Sequence, residues 1–156
     1  MRIELPRLDE TEIIADLWVE LTRGQQRFGT HLASEANRGR IAETIGRYIA
    51  DETLLVARSG DTIVGFVMFA IERRLYTTAV TRGIIHNLFV TTERRCEGIG
   101  TALMDATEAA LIERGADVLG LETLAANDAA RRFYVDRGYE PHRVELEKRV
   151  ETDNTP

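Results

Sequence analysis

The stretch Ile84–Gly115, IIHNLFVTTERRCEGIGTALMDATEAALIERG, leaves few options for the chain that contains it. Its first seven residues are an almost unbroken apolar run, the pattern of a strand covered on both faces. A loop with Arg94, Arg95 and two glycines follows. Apolar residues then recur at Ile99, Leu103, Ala106 and Ala110, one face of a helix that Gly115 stops. A strand buried on both sides needs helices on both sides, so the expected fold class is an α/β or α+β sandwich.

The remaining patterns fit that frame. RIELPRL reads as a short first strand, and Thr11–Arg23 carries apolar residues at helical spacing through Ile13, Ile14, Leu17, Trp18 and Leu21. The polar stretch RGQQRFGTHLASEANRG reads as a mobile loop before a second helix over about Arg40–Ala50. TLLVARSGDTIVGFVMFAIER reads as two strands joined at Ser59-Gly60-Asp61, a hairpin signal. DVLGLETL is a further buried strand, NDAARRFYVDR a short helix started at Asn127 or Asp128, and HRVELEKRV alternates like a final strand. The organisation expected is one domain over residues 1–150, with a flexible tail over 151–156.

Composition removes several function classes. At 156 residues, 44% hydrophobic, the chain has room for one buried core and not two. A net charge of -6 and a pI near 5.2 argue against nucleic acid and anionic membranes as partners. Cys96 is the lone cysteine, which excludes an intramolecular disulfide and any multi-thiolate metal site; a reducing, cytoplasmic compartment is expected. His31 and His142 have no spacing partner for a metal, and no run of about 18 apolar residues occurs.

The glycine junction carries the chemistry. It lacks the third glycine of the dinucleotide fingerprint, with Leu103 in its place, and has no Walker-type lysine. What is left is a helix start near Gly98 whose free N–H groups and dipole suit an anion. Tight helix-to-sheet packing is the other reason for glycines at 98 and 100.

The order Arg95-Cys96-Glu97-Gly98-Ile99-Gly100 resembles the R/Q-x-x-G-x-G/A acyl-CoA pyrophosphate motif of the GNAT superfamily of N-acetyltransferases. Downstream, Asn127–Tyr139, NDAARRFYVDRGY, is similar to the family's N-x-x-A-x-x-x-Y-x-x-x-G-F/Y helix motif. The resemblance implies a GNAT-like mixed central β-sheet flanked by helices, with acyl-CoA in the cleft where the central strands splay. Arg94, Arg95, Cys96, Glu97, Gly98, Ile99, Gly100 and Thr101 would form the pyrophosphate loop, and the strand end Leu88, Phe89 and Val90 would pair with the pantetheine arm. Asn127 would contact the cofactor or fix the helix start, and Tyr134 would be the general acid. Thr92 stands where a proline is frequent, and His86 where many members carry the glutamate that acts as, or orients, the base.

The implied activity is transfer of acetyl from acetyl-CoA, as co-substrate and without a metal, to a primary amine by direct attack. The base is open between His86 and Glu122, the latter acting through water; a lone histidine in an apolar strand also serves as a structural hydrogen-bonding group. A histidine base matches an amino-acid, peptide or protein N-terminal α-amine better than a lysine-type amine. The alternative is a catalytically idle acyl-CoA-binding regulatory module. The partners expected are acetyl-CoA and an amine acceptor, with homodimerisation open.

Overall fold

In a computed structural model, which describes residues 1–151, the runs on either side of Gly60 close into the expected hairpin of β2 (Leu54–Ser59) and β3 (Thr62–Ile71). Gly60 takes φ 59°, which suits the two-residue turn. β1 (Arg2–Glu4) pairs antiparallel with β2, and β4 (Arg82–Val90) antiparallel with β3. β5 (Val118–Leu121) then lies parallel to β4, so the five-stranded mixed sheet follows chain order. A parallel neighbour requires a crossover. α3 (Ile99–Glu113) supplies it.

Helices cover both faces, as the apolar strands demand. α1 (Thr11–Gln25) and α2 (Arg38–Ala50) pack Ile14, Trp18, Ile45 and Ile49 against Phe66, Met68 and Phe89. On the opposite face, Leu103, Met104 and Leu111 of α3 meet Val67, Phe69 and Ile85. α4 (Asp128–Asp136) adds Phe133 and Tyr134 to the α3 side. Seven consecutive residues of β3, Ile63 to Phe69, are buried, which is why that strand reads as continuous rather than alternating.

The first strand is tied down by charge. Arg58 of β2 is 6% exposed and donates to both carboxylate oxygens of Glu10 at 2.8 and 2.9 Å, and also to Glu4. Glu10, 4% exposed, accepts a further bond from the Arg7 backbone N–H at 2.9 Å. Hydrogen bonding from Arg58 is the main reason the Glu10 carboxyl is held down at a pKa of about 2.

Two expectations need correction. DVLGLETL forms a strand only to Leu121, so Glu122 lies just beyond it. HRVELEKRV forms no strand within the chain: residues 139–151 make no ladder, and residues 140–151 are exposed. An isolated strand has nothing to take up its backbone hydrogen bonds, whatever its alternation suggests. The loop before α2 contains two short 3-10 turns, Gln26–Phe28 and Glu35–Asn37. Of the expected tail, residues 152–156 lie outside the described residues.

The Glu10 carboxyl is lowered from 4.5 in the reference state to about 2 in the fold. Its contribution to stability is complete above the higher value and is lost as the pH falls between them. Glu10→Gln is therefore expected to cost about 3 kcal/mol at neutral pH and to flatten the loss of stability through that acid window. Urea unfolding at stepped pH measures both.

Candidate active site

β4 and β5 are hydrogen-bonded over four residue pairs, from Arg82–Val118 to Ile85–Leu121. Beyond Ile85, β4 continues to Val90 against β3, while the chain leaves β5 at Glu122. The two strands diverge there, and among the described residues one edge of residues 86–90 has no strand partner. The cause is local. On β3, Met68 and Phe69 are adjacent, but their partners on β4 are Asn87 and Ile85, so His86 is a surplus residue in a β-bulge.

The bulge also re-aims side chains. Ile85, Leu88 and Val90 pack on the α3 side and Phe89 on the α1–α2 side, so strict alternation fails at residues 86 and 87. The His86 ring meets Tyr48 of α2 edge-on, with centroids 6.0 Å apart. Partial burial of the ring lowers its pKa below 6.5, and the Glu122 carboxylate pulls it weakly the other way. His86 is therefore mostly neutral near pH 7 and available as a proton acceptor. His86 and Glu122 line one cleft of about 470 Å³ with Ile84, Arg82, Arg73 and Arg143. Glu72 neutralises part of this mouth by pairing with Arg74 and Arg82.

Tyr134 arrives from the other face. It is half-buried in the α3-side cluster, beside Phe133 and Tyr139 at centroid distances of 5.3 and 5.9 Å. Its hydroxyl has no hydrogen-bond partner among the described residues, and burial raises its pKa above 10. The helix that carries it is pinned to α3: the Tyr139 hydroxyl donates to Glu108 at 2.6 Å, and Arg137 donates to Glu108 and, at 2.7 Å, to Asp105. Asn127 caps that helix, its side chain accepting from the Ala130 N–H at 3.2 Å, which is the second of the two roles expected for it.

At the end of β4 the chain makes a 3-10 turn over Thr92–Arg94, and Cys96 and Gly98 take left-handed conformations, φ 63° and 83°. The first bond of α3 is Ala102 N–H to Gly98 C=O. The N–H groups of Ile99, Gly100 and Thr101 have no acceptor among the described residues, and no side chain caps them. Packing does not explain Gly100. A Cβ there would meet Phe133 and Val90 at an ordinary 3.9 Å, whereas one on Gly65 would stand 2.7 Å from the Phe89 carbonyl oxygen. A Cβ at Gly100 would sit in ordinary van der Waals contact.

The twelve residues expected at a cofactor are not equivalent. Leu88 and Val90 are half-buried at the divergence, but the side chains of Phe89 and Ile99 are core, which leaves their backbones alone free to act. Arg95 folds back, donating to the Val90 carbonyl at 3.1 Å and lying over the Phe89 ring. Arg94 pairs with Glu97 at 3.0 Å; Glu97, Cys96 and Thr101 are exposed. Tyr48 and the Glu108 anchor were not legible as site residues. Tyr48 sits on the apolar face of its helix, and the anchor joins residues 29 and 31 positions apart.

Among the described residues, no three His, Cys, Asp or Glu side chains converge as a metal would require, and no helix is long and apolar enough to cross a membrane.

Comparison with known proteins agrees with this geometry. An aminoglycoside 2'-N-acetyltransferase of Mycolicibacterium fortuitum is 41% identical over 73 residues, 46% of this chain and 35% of the relative, so the match spans about a third of that protein's length. A GCN5-related N-acetyltransferase from Ralstonia eutropha has the same fold at a TM-score of 0.77 and 22% identity, over 96% of this chain and 97% of that one. A mutant protein from Bacillus halodurans matches at a TM-score of 0.81 and 18% identity, over 97% and 100% of the two chains. At such identities the likeness speaks for the fold alone. Residues 12–139 match the sequence model of the acetyltransferase (GNAT) family, and the chain belongs to that family.

Proposed function

We propose that this chain is an N-acetyltransferase that uses acetyl-CoA as co-substrate, a reading that its family membership supports. We propose that Tyr134 and His86 serve the reaction from opposite faces of the β4–β5 divergence, and that the acceptor is an α-amine of an amino acid, peptide or protein N-terminus. The observation that carries the proposal is the divergence itself. It brings an unpaired strand edge, the open N–H groups of α3 and a cleft holding His86 and Glu122 to one end of the sheet.

In this reading the free N–H groups of residues 99–101 and the positive end of α3 hold the pyrophosphate. With no side chain at Gly100, it can approach the backbone closely. The pantetheine arm lies along the unpaired edge of residues 86–90. The amine lone pair attacks the acetyl carbonyl carbon, the C–S bond breaks, and the sulfur leaves as a thiolate. The Tyr134 phenol, with its pKa raised, stays protonated across neutral pH and donates a hydrogen bond to that sulfur. Full proton transfer to a thiolate near 8.5 would run uphill by more than about 1.5 units, so stabilisation by the hydrogen bond is the larger effect.

The proton released by the amine goes to His86, directly or through water, with Glu122 beside it. Because the His86 pKa lies below 6.5, an α-ammonium at about 7.7 to 8.0 is mismatched by more than about 1.3 units, a lysine-type ammonium near 10.4 by about 4 or more. That is at least about 2 against 5 kcal/mol.

Three outcomes are expected. Gly100→Leu raises the KM for acetyl-CoA by about tenfold or more while circular dichroism shows a folded protein, because its Cβ meets Phe133 and Val90 at an ordinary 3.9 Å. Tyr134→Phe lowers kcat by about 10²-fold with acetyl-CoA affinity unchanged in calorimetry. In competition at pH 7, an α-amine peptide is acetylated ahead of its N-terminally blocked, lysine-containing counterpart, and His86→Ala erases the difference. Acetyl-CoA binding without thiol release for any amine would mark an idle binding module instead.

A further inference from the structure

The cleft that holds His86 runs along one face of β4. Ile85 packs on the α3 side, and a Cβ on Gly83 would meet Leu111 of α3, so these two residues face that layer. Arg82 and Ile84 alternate with them and face the other way, the side on which the His86 ring meets Tyr48. Arg82, Ile84 and His86 all line the cleft. A strand rises about 3.3 Å per residue, so Arg82 begins about 13 Å from His86 along this floor, with the apolar Ile84 between them. The floor is basic at one end, apolar in the middle and proton-accepting at the other.

The basic end is held in place from two strands. A Cβ on Gly120 of β5 would overlap the Arg82 guanidinium, which fills that space and bonds to Glu72 at 2.9 Å. Glu72 also accepts from Arg74, and its N–H donates to the Arg82 carbonyl at 2.8 Å, extending the β3–β4 ladder one residue past Ile71. Arg73 follows directly, at the end of that ladder. Glu72 thus answers two arginines, whereas Arg73 and Arg143, which line the same cleft, have no ion-pair partner among the described residues. Four arginines stand against two carboxylates, Glu72 and Glu122, in a chain whose net charge is -6. The cleft opposes the sign of the molecule that contains it.

We infer that the unpaired arginines, Arg73 foremost, select an acceptor that carries a carboxylate several bonds from its α-amine, as an acidic side chain at or next to an N-terminus does. The amine goes to His86 and Glu122, the spacer crosses Ile84, and the carboxylate accepts from a guanidinium fork. The α-carboxylate of a simple amino acid is one carbon from its amine, too near to reach the basic end. A polycationic acceptor meets like charge there. This selection rests on the proposed function, in which His86 takes the proton, and narrows the acceptor within it.

Two matched pairs of acceptors test it: Ala-Glu amide against Ala-Gln amide, and free glutamate against free glutamine. Each pair shares its α-amine and differs by one carboxylate. The acid is expected to lead in kcat/KM by about tenfold or more in at least one pair, and the pair that shows it tells a peptide from an amino acid as the source. Arg73→Gln and Arg143→Gln each reduce that ratio to about threefold or less, and added NaCl reduces it in the wild type. Arg73→Glu turns the preference towards Ala-Arg amide, which mere loss of structure does not do. Circular dichroism and acetyl-CoA calorimetry check that each variant is folded and holds the co-substrate. Equal rates within both pairs, or a ratio indifferent to the arginine changes, overturn the selection and leave the acetyltransferase reading standing. If no acceptor releases thiol, that reading fails, and calorimetry of the same acceptors decides the selection: tighter binding of the acid in either pair upholds it, and equal binding in both overturns it.

Discussion

Everything at this site depends on hydrogen bonds that are not made. From residue 86 onward β4 keeps its antiparallel partner on one edge and loses its parallel partner on the other. Backbone amides and carbonyls in such a position must find water or a ligand with amides of its own. The loss occurs beside the start of α3, where another set of N–H groups is unmatched for a different reason, the geometry of helix ends. Two unsatisfied stretches of backbone thus meet at the end of one strand. A long ligand with amides in its middle and phosphates at one end matches both.

The rest of the molecule holds that opening in shape. α3 is packed into the sheet by Leu103, Met104 and Leu111, and α4 is held to α3 by the Glu108 contacts rather than by a wide apolar face. Phe133 contributes to both tasks, since it packs in the α3-side cluster and, with Val90, borders the position over Gly100. On the opposite face Tyr48 brings α2 against His86, so the environment of that histidine is set by a helix far from it in sequence. Partial burial there outweighs the nearby carboxylate, which keeps the ring neutral.

Most of the framework was legible because it rests on local rules. Apolar runs, a Ser-Gly-Asp turn and Gly115 as a helix stop each report on a few neighbouring residues, and α1, α2, β2, β3 and β4 fall where those rules place them. The glycine junction was legible for the same reason, and the structure removes the packing explanation for Gly100. What escaped was relational. The bulge at His86 is defined by the register of β3, the Arg58–Glu10 pair joins residues 48 apart, and HRVELEKRV has a strand's alternation without a partner in the chain. No periodicity within one segment can reveal what lies across from it.

The surplus residue in β4 has a consequence for how such a strand varies. Without residue 86, Ile85 and Asn87 would become neighbours facing Phe69 and Met68 in an unbroken ladder, and Leu88, Phe89 and Val90 would keep the faces they have now. The sheet therefore closes just as well with one residue fewer. His86 is thus surplus to the ladder, and its ring is placed by the edge-on contact with Tyr48 rather than by strand pairing. The ladder fixes the length of β4 less one, and leaves the remaining residue to the cleft it lines.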